Sequence, residues 1–237
     1  MTYSDYRLQA RESLRGNWGI AVGVTILAAL LGGLIVNTGQ LNLKLDQHDL
    51  ERFPPNMWEF LALIGSFGGA VNLLHLILGG PVCLGYCRFL LKLCNGEAVG
   101  TDDLFSQFHR FKDSFCLRLL TRLFIALWSL LFIIPGIIAS YRYAMAPFIM
   151  AENEGMTASE ALKASKEMMY GHKGELFTLG LTFIGWSILS IFTLGIGFLF
   201  LNPYINAAYA AFYRDLRDQQ RRSQADTYQN RYAQFDM

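Results

Sequence analysis

The sequence predicts an all-α fold: a polytopic membrane helix bundle of six transmembrane helices, with amphipathic helices on its cytoplasmic side. Three observations carry this. Apolar residues make up 53% of the 237 residues and charged residues only 16%, against about 25% charged in an ordinary soluble domain. The stretch from Leu176 to Tyr213 contains no Lys, Arg, Asp or Glu. At ~1.5 Å per helical residue it is too long for one crossing of a hydrocarbon core of roughly 30 Å and long enough for two. The basic residues are also strongly segregated along the chain, as the positive-inside rule describes.

Residues 1–16 read as a short amphipathic helix with Arg7, Arg11 and Arg15 on one face. Trp18 to Val36 reads as the first span, retained rather than cleaved, because its apolar core is longer than that of a signal peptide. Gly19 and Gly23 form a small-residue pair suited to close helix approach, and Gly65 and Gly69 repeat the spacing. Residues 37–59 form a polar loop broken by Pro54-Pro55. Phe60 to Cys87 is the second span, with Gly79-Gly80-Pro81 as a kink near its inner end. Cys83, Cys87 and Cys94 share a helical face without His or carboxylate neighbours. They read as small apolar residues at a helix contact rather than metal ligands.

Thr101 is placed to cap a helix whose first turn holds Asp102 and Asp103. Leu104, Phe105, Phe108, Phe111 and Phe115 follow on one face, and His109, Arg110 and Lys112 elsewhere. Two readings fit: a helix in the membrane interface with Arg110 and Lys112 toward headgroups, or a Phe stripe packed on the protein. Leu119 to Ala151 contains Pro135-Gly136 in its middle. A hairpin there keeps all of the 20 Lys and Arg cytoplasmic except Lys44, Arg52 and the intramembrane Arg142. Thr157 and Glu160 make a capping box. The helix behind it carries Ala161, Leu162, Ser165, Met168 and Met169 on one face and ends at Gly171. Thr193-Leu194-Gly195-Ile196-Gly197 turns the last pair. Residues 1–216 are expected to form a single integral membrane domain, and residues 217–237 a polar, flexible cytoplasmic tail.

Two segments carry a resemblance. Ile133-Ile134-Pro135-Gly136-Ile137-Ile138 runs on through Tyr141-Arg142-Tyr143-Ala144-Met145-Ala146-Pro147 to Ala151-Glu152-Asn153. Thr157-Ala158-Ser159-Glu160-Ala161 follows, then Gly171-His172-Lys173, Phe183-Ile184-Gly185-Trp186 and Leu194-Gly195-Ile196-Gly197. This pattern resembles a bacterial family of integral membrane proteins filed as domain of unknown function 975. It is distantly similar to the membrane domain of glycerophosphodiester phosphodiesterases. The resemblance implies a six-helix protein of the bacterial inner (plasma) membrane. It brings no catalytic residues with it.

No zinc-protease, nucleophile-elbow or phosphate-loop motif is present in the sequence, so an enzyme, a cofactor and a metal are not expected. The net charge of +1 argues against nucleic acid. Candidate ligand contacts are the polar residues inside proposed spans: Arg142, the stripe Asn202 and Asn206 on the last helix, and Asn72 with His75. Arg142 reads either as a snorkelling residue that fixes the hairpin or as a lipid-headgroup or anion site. The expected partners are membrane lipids, with other membrane proteins or further copies of the chain. Both termini are expected in the cytoplasm. A membrane scaffold or accessory subunit is the leading functional class; a small transporter or channel component is the alternative.

Overall fold

The structure is a computed structural model that describes residues 3–32, 75, 77–131, 133–193 and 195–235. Among the described residues every regular element is helical. In chain order they are α1 (Tyr3–Leu14), α2 (Trp18–Leu30), α3 (Ile77–Asn95), α4 (Asp102–Phe105), α5 (Phe111–Leu131) and α6 (Ile133–Arg142). Then follow α7 (Ala146–Glu152), α8 (Ala158–Met168), α9 (Lys173–Leu181), α10 (Ile184–Phe192) and α11 (Ile196–Phe235).

The core is built on α3 and the middle of α11. Tyr86, Cys87, Phe89 and Leu90 of α3 are fully buried, as are Ala207, Ala208, Ala210 and Phe212 of α11. Small residues let backbones close up. A methyl group at Gly80 would lie 2.7 Å from the Ser114 carbonyl oxygen of α5. Cys83, Cys87 and Cys94 are buried free thiols, and Cys94 Sγ lies 3.7 Å from the Ala207 carbonyl oxygen. Gly79-Gly80-Pro81 sits inside the first turns of a continuous helix. Near the other end of α3, Arg88 and Lys92 point to Glu154 at 2.8 Å and Asp103 at 2.5 Å. The helix thus continues past Cys87, because the charges that mark a span's end in sequence are paired.

The chain's first helix packs antiparallel along α11. Tyr6 meets Phe212 edge to face at 5.4 Å, and its hydroxyl donates to Asp215 at 2.6 Å. Tyr204 donates to the Arg7 carbonyl oxygen, and Trp18 meets Phe200. Burial beside Asp215 pushes the Tyr6 phenol well above its usual range. At Gly16, whose φ is +89°, the chain turns, and α2 leaves α1 at 101°.

Two helical hairpins project from this body. In the first, α5 and α6 pack together and Phe124 stacks on Tyr143 at 5.8 Å. In the second, α10 and α11 pack together across a turn at Gly195, whose φ is +86°. Both tips close the same way. A methyl group at Gly136 would lie 2.1 Å from Ser129 Oγ, and one at Gly197 would lie 2.6 Å from Ser190 Oγ. Each glycine stands seven residues after its serine. The apolar side chains around these tips are uncovered: Leu130 is 86% and Phe192 80% exposed.

The described residues account for two or three of the six spans expected. Two described helices, Ile77–Asn95 and Lys173–Phe192 (α9 and α10 together), are long and apolar enough to cross a membrane, or three if the bent pair α1 and α2 is one span. The expected hairpin exists, but its second arm, α6, has 10 residues, about 15 Å. Residues 37–74, with Gly65, Gly69, Asn72 and most of the second expected span, lie outside the described residues.

The interfacial Phe helix is also corrected. It is divided into α4, a 3₁₀ turn at Phe108–Arg110 and the start of α5. Arg110, expected toward headgroups, is turned inward and only 8% exposed. Thr101 caps α4 without a side-chain bond; Asp103 accepts from the Gly100 amide instead. Beyond Tyr213 the last helix continues to Phe235.

The amphipathic helix α8 has the expected capping box. Thr157 Oγ1 accepts from the Glu160 amide, and the Glu160 carboxylate accepts from the Thr157 amide. Ala158, Ala161, Leu162, Ser165 and Met168 are buried, against α5 and α7 rather than against lipid. Thr157→Ala is expected to cost about 1 kcal/mol, measured by thermal melting. Hydrogen bonds from Thr157 hold the Glu160 carboxyl below the usual carboxylate range, as Arg88 does for Glu154. Their stabilisation is present above the unfolded carboxylate pKa and is lost as pH falls through the lowered folded value. Glu160→Gln should therefore flatten the acid limb of the melting profile.

Candidate functional site

The residues singled out in the sequence go to three places. His75 and Asn202 line one cavity of about 500 Å³, together with Thr25, Ile26, Ala29, Leu30 and Leu199. His75 Nε2 lies 2.7 Å from the Leu30 carbonyl oxygen, at the free C-terminal end of α2. Asn72 lies outside the described residues. Asn206 is 1% exposed, deep in the body. Its Nδ2 donates to the Asn202 carbonyl oxygen at 2.8 Å, and its Oδ1 has no hydrogen-bond partner. Nearby, Thr25 donates to the Ala21 carbonyl oxygen at 2.6 Å, so the Tyr86 hydroxyl at 3.0 Å donates to Thr25.

Arg142 stands apart from these groups. It is the last residue of α6, where a cation complements the helix dipole. Its guanidinium lies 6.0 Å from the Tyr143 ring centre, and its carbonyl oxygen accepts from Ser165 at 3.0 Å. The turn precedes Ile133, so Arg142 is nine residues into the arm, about 14 Å from the tip.

Three further polar sites lie outside these candidate ligand contacts. The first is Arg110, which donates to three carbonyl oxygens: Met150 at 3.1 Å, Asn153 at 3.2 Å and Met156 at 2.6 Å. It caps the C-terminal end of α7 and ties down the loop that follows. The second is Glu152, which accepts from Tyr213 at 2.6 Å and Arg217 at 2.5 Å, with Arg221 at 3.5 Å. An i, i+4, i+8 series from Tyr213 on one helix is the sequence signal for such a cluster.

The third is a cavity of about 380 Å³ between α3, α5 and the turn from α6 to α7. Ser114, Arg118, Thr121 and Arg122 of α5 line it, facing Cys83 of α3 and Tyr143. Arg118 donates to the Gly79 carbonyl oxygen at 2.7 Å and to the Gly32 carbonyl oxygen. Its Nε is buried without a partner. Among the described residues no carboxylate lines this cavity. The readable signal is Arg118 and Arg122 one turn apart with no acid at the same face.

Two further arginines, Arg7 and Arg11, line a cavity of about 510 Å³ with Trp18, Trp186 and Tyr204. Arg7 sits over the Phe183 ring at 5.8 Å. Three arginine positions thus surround the bases of the two hairpins: Arg7 with Arg11, Arg118 with Arg122, and Arg142.

Residues 130–220 match the family model described as "Protein of unknown function (DUF975)". The matched stretch runs from the tip of the first hairpin through the second and into α11. The collar residues Arg118 and Arg122 lie before it. No curated protein and no solved structure matches the chain.

Proposed function

We propose that the chain is a non-catalytic, membrane-anchored scaffold or accessory protein that holds a cytoplasmic body against the membrane through its two hairpins. The observation that carries this reading is the placement of exposed apolar surface. Leu123, Leu127, Trp128 and Leu130 are exposed on the first hairpin, and Ile188, Ile191, Phe192 and Ile196 on the second. The ion pairs Arg88–Glu154, Lys92–Asp103 and Arg217–Glu152 lie in the body. Uncovered apolar area on this scale marks a membrane or partner surface.

The charge-free arms are short. Between Arg122 and Arg142 there are two arms, one ending at Leu131 and the other starting at Ile133, each about 14 Å long. That is half of a hydrocarbon core of roughly 30 Å. Insertion into the cytoplasmic leaflet accounts for this length and for arginines at the hairpin bases, at headgroup depth. It also keeps both termini in the cytoplasm. A six-span arrangement would instead bring the tips out on the far side.

The polar side chains support a structural role. Arg110 and Glu152 are occupied by caps and clusters, and Arg142 is not joined to His75, Asn202 or Asn206 in one cavity. The transporter reading needs that convergence.

Single cysteines at Leu130, Phe192, Gly155 and Gln220, in a background without the four native cysteines, test the proposal. Gly155 and Gln220 should react with an impermeant maleimide only in inside-out vesicles, and the two tips on neither side. Tips that react from outside would replace leaflet insertion by full crossing. Extraction of the chain at alkaline pH, with tips reactive in both preparations, would end the membrane reading. Solute flux in proteoliposomes that Asn202→Leu abolishes would establish transport instead.

A further inference from the structure

We propose that the arginine-lined cavity at the base of the first hairpin binds the phosphate group of an anionic phospholipid. This deepens the membrane reading and rests on it. Arg118 and Arg122 are one helical turn apart and point into the same cavity. Arg118 is held in place from behind by the Gly79 and Gly32 carbonyl oxygens. Two of its five N–H groups are used there, and the buried Nε–H is among those left over. No hydrogen bond or ion pair of the described residues involves the Arg122 side chain. Two unneutralised guanidiniums this close repel each other, and each gains when an anion enters between them.

The donor set suits a phosphate. A planar guanidinium gives two parallel N–H bonds to phosphate oxygens, and here one of the two is already oriented. Ser114 and Thr121 bring hydroxyls to the same wall. Both hydroxyl protons go to the α5 backbone, at Phe111 and Leu117, so the donors facing a phosphate here are the two guanidiniums. The volume, about 380 Å³, is at the low end for small-molecule sites. It holds a phosphate with its glycerol and leaves the acyl chains outside. Leu117 and Ile125 line its apolar side, with Leu84 of α3 and Pro147. A free phosphate would have no use for that apolar wall.

The test uses the full chain in neutral detergent, with lipid adducts counted by native mass spectrometry and stability followed by melting. Phosphatidylglycerol, phosphatidylcholine and inorganic phosphate are the three probes. The wild type should retain one phosphatidylglycerol in preference to phosphatidylcholine and melt higher with it. Arg122 is exposed and makes no internal bond, so Arg122→Gln should fold and melt like the wild type without lipid. Its apparent affinity for phosphatidylglycerol should fall about tenfold or more. Arg11→Gln, in the other cavity, should leave this affinity unchanged. An Arg122→Gln variant that binds phosphatidylglycerol as the wild type does would overturn the proposal. Inorganic phosphate that binds and displaces nothing, with no preference between the two lipids, would assign the cavity to a free anion and overturn the lipid assignment. Failure of the membrane reading is seen separately, in the tip-labelling pattern, which Arg122→Gln should not change.

Discussion

Replacing Arg110 with Met should lower the melting temperature more than any other arginine substitution in the chain. The guanidinium is 8% exposed and satisfies three backbone carbonyls at once, those of Met150, Asn153 and Met156. Met fills the same space and leaves all three without a donor. A buried polar group left unpaired costs roughly 1–3 kcal/mol, so the sum is on the order of 3 kcal/mol or more. For a chain of this size that corresponds to roughly 6–12 °C. Arg110→Lys should recover only part of the loss, since one ammonium does not reach three oxygens spread over seven residues. The measurement is thermal unfolding of the purified protein in detergent. A Met variant that melts within a degree of the wild type would show that these carbonyls find other partners.

The second large effect belongs to Gly85. Its Cα faces the backbone of α4, and an added methyl group would sit 1.9 Å from the Leu104 carbonyl oxygen and 2.5 Å from its carbon. The obstacle is main chain, which does not rotate out of the way, so the two helices must separate. Overpacking of this kind costs about 3 kcal/mol or more. Gly85→Ala should therefore fold poorly or melt well below the wild type. Gly19→Ala and Gly23→Ala should do the opposite. Neither position has any atom within 4 Å of the added methyl, and alanine is worth roughly 0.5–1 kcal/mol over glycine inside a helix. Equal melting of all three variants would remove Gly85 from the packing argument.

That contrast shows where sequence reasoning reached and where it stopped. Gly19 and Gly23 carry the recognisable spacing and have no atom of the described residues beside them, whereas Gly85 has no pattern and carries the close approach. A spacing rule describes one helix; a contact needs two. Features closed within a few residues were legible: the Thr157–Glu160 box, the buried face of α8 and the turn before Gly197; the first hairpin is present as two packed arms, but Pro135 and Gly136 lie inside α6 and not at its turn. Their physics is local hydrogen bonding and helical periodicity. Features that depend on a distant partner were not. Arg110 looks like a headgroup residue until the end of α7 arrives beside it. Arg88 looks like the end of a span until Glu154 neutralises it. Of the candidate site residues, His75 and Asn202 share a cavity as their polarity in an apolar context suggested. Arg142 is separate because the hairpin turns before Ile133, which shifts its depth. Among the described residues two or three helices are long and apolar enough to cross a membrane, because uncharged length in sequence does not say which segments cover one another.

The docking of α1 on α11 also sets an order of events during synthesis. Tyr6 bonds to Asp215 across 209 residues of chain, and Arg7 to Tyr204 across 197. Until the ribosome has passed Asp215, the Tyr6, Ala10 and Leu14 face has nothing to pack on. At about 5–20 residues per second that interval lasts roughly 10–40 s. For this time the first helix, with Arg7 and Arg11, is an undocked amphipathic segment. The body closes only when the last helix arrives. A chain stopped before Tyr204 keeps both hairpin sequences in part or whole but loses the contact that holds its beginning. It should persist as an open form that proteases cut near Gly16, while the finished chain resists at the same site.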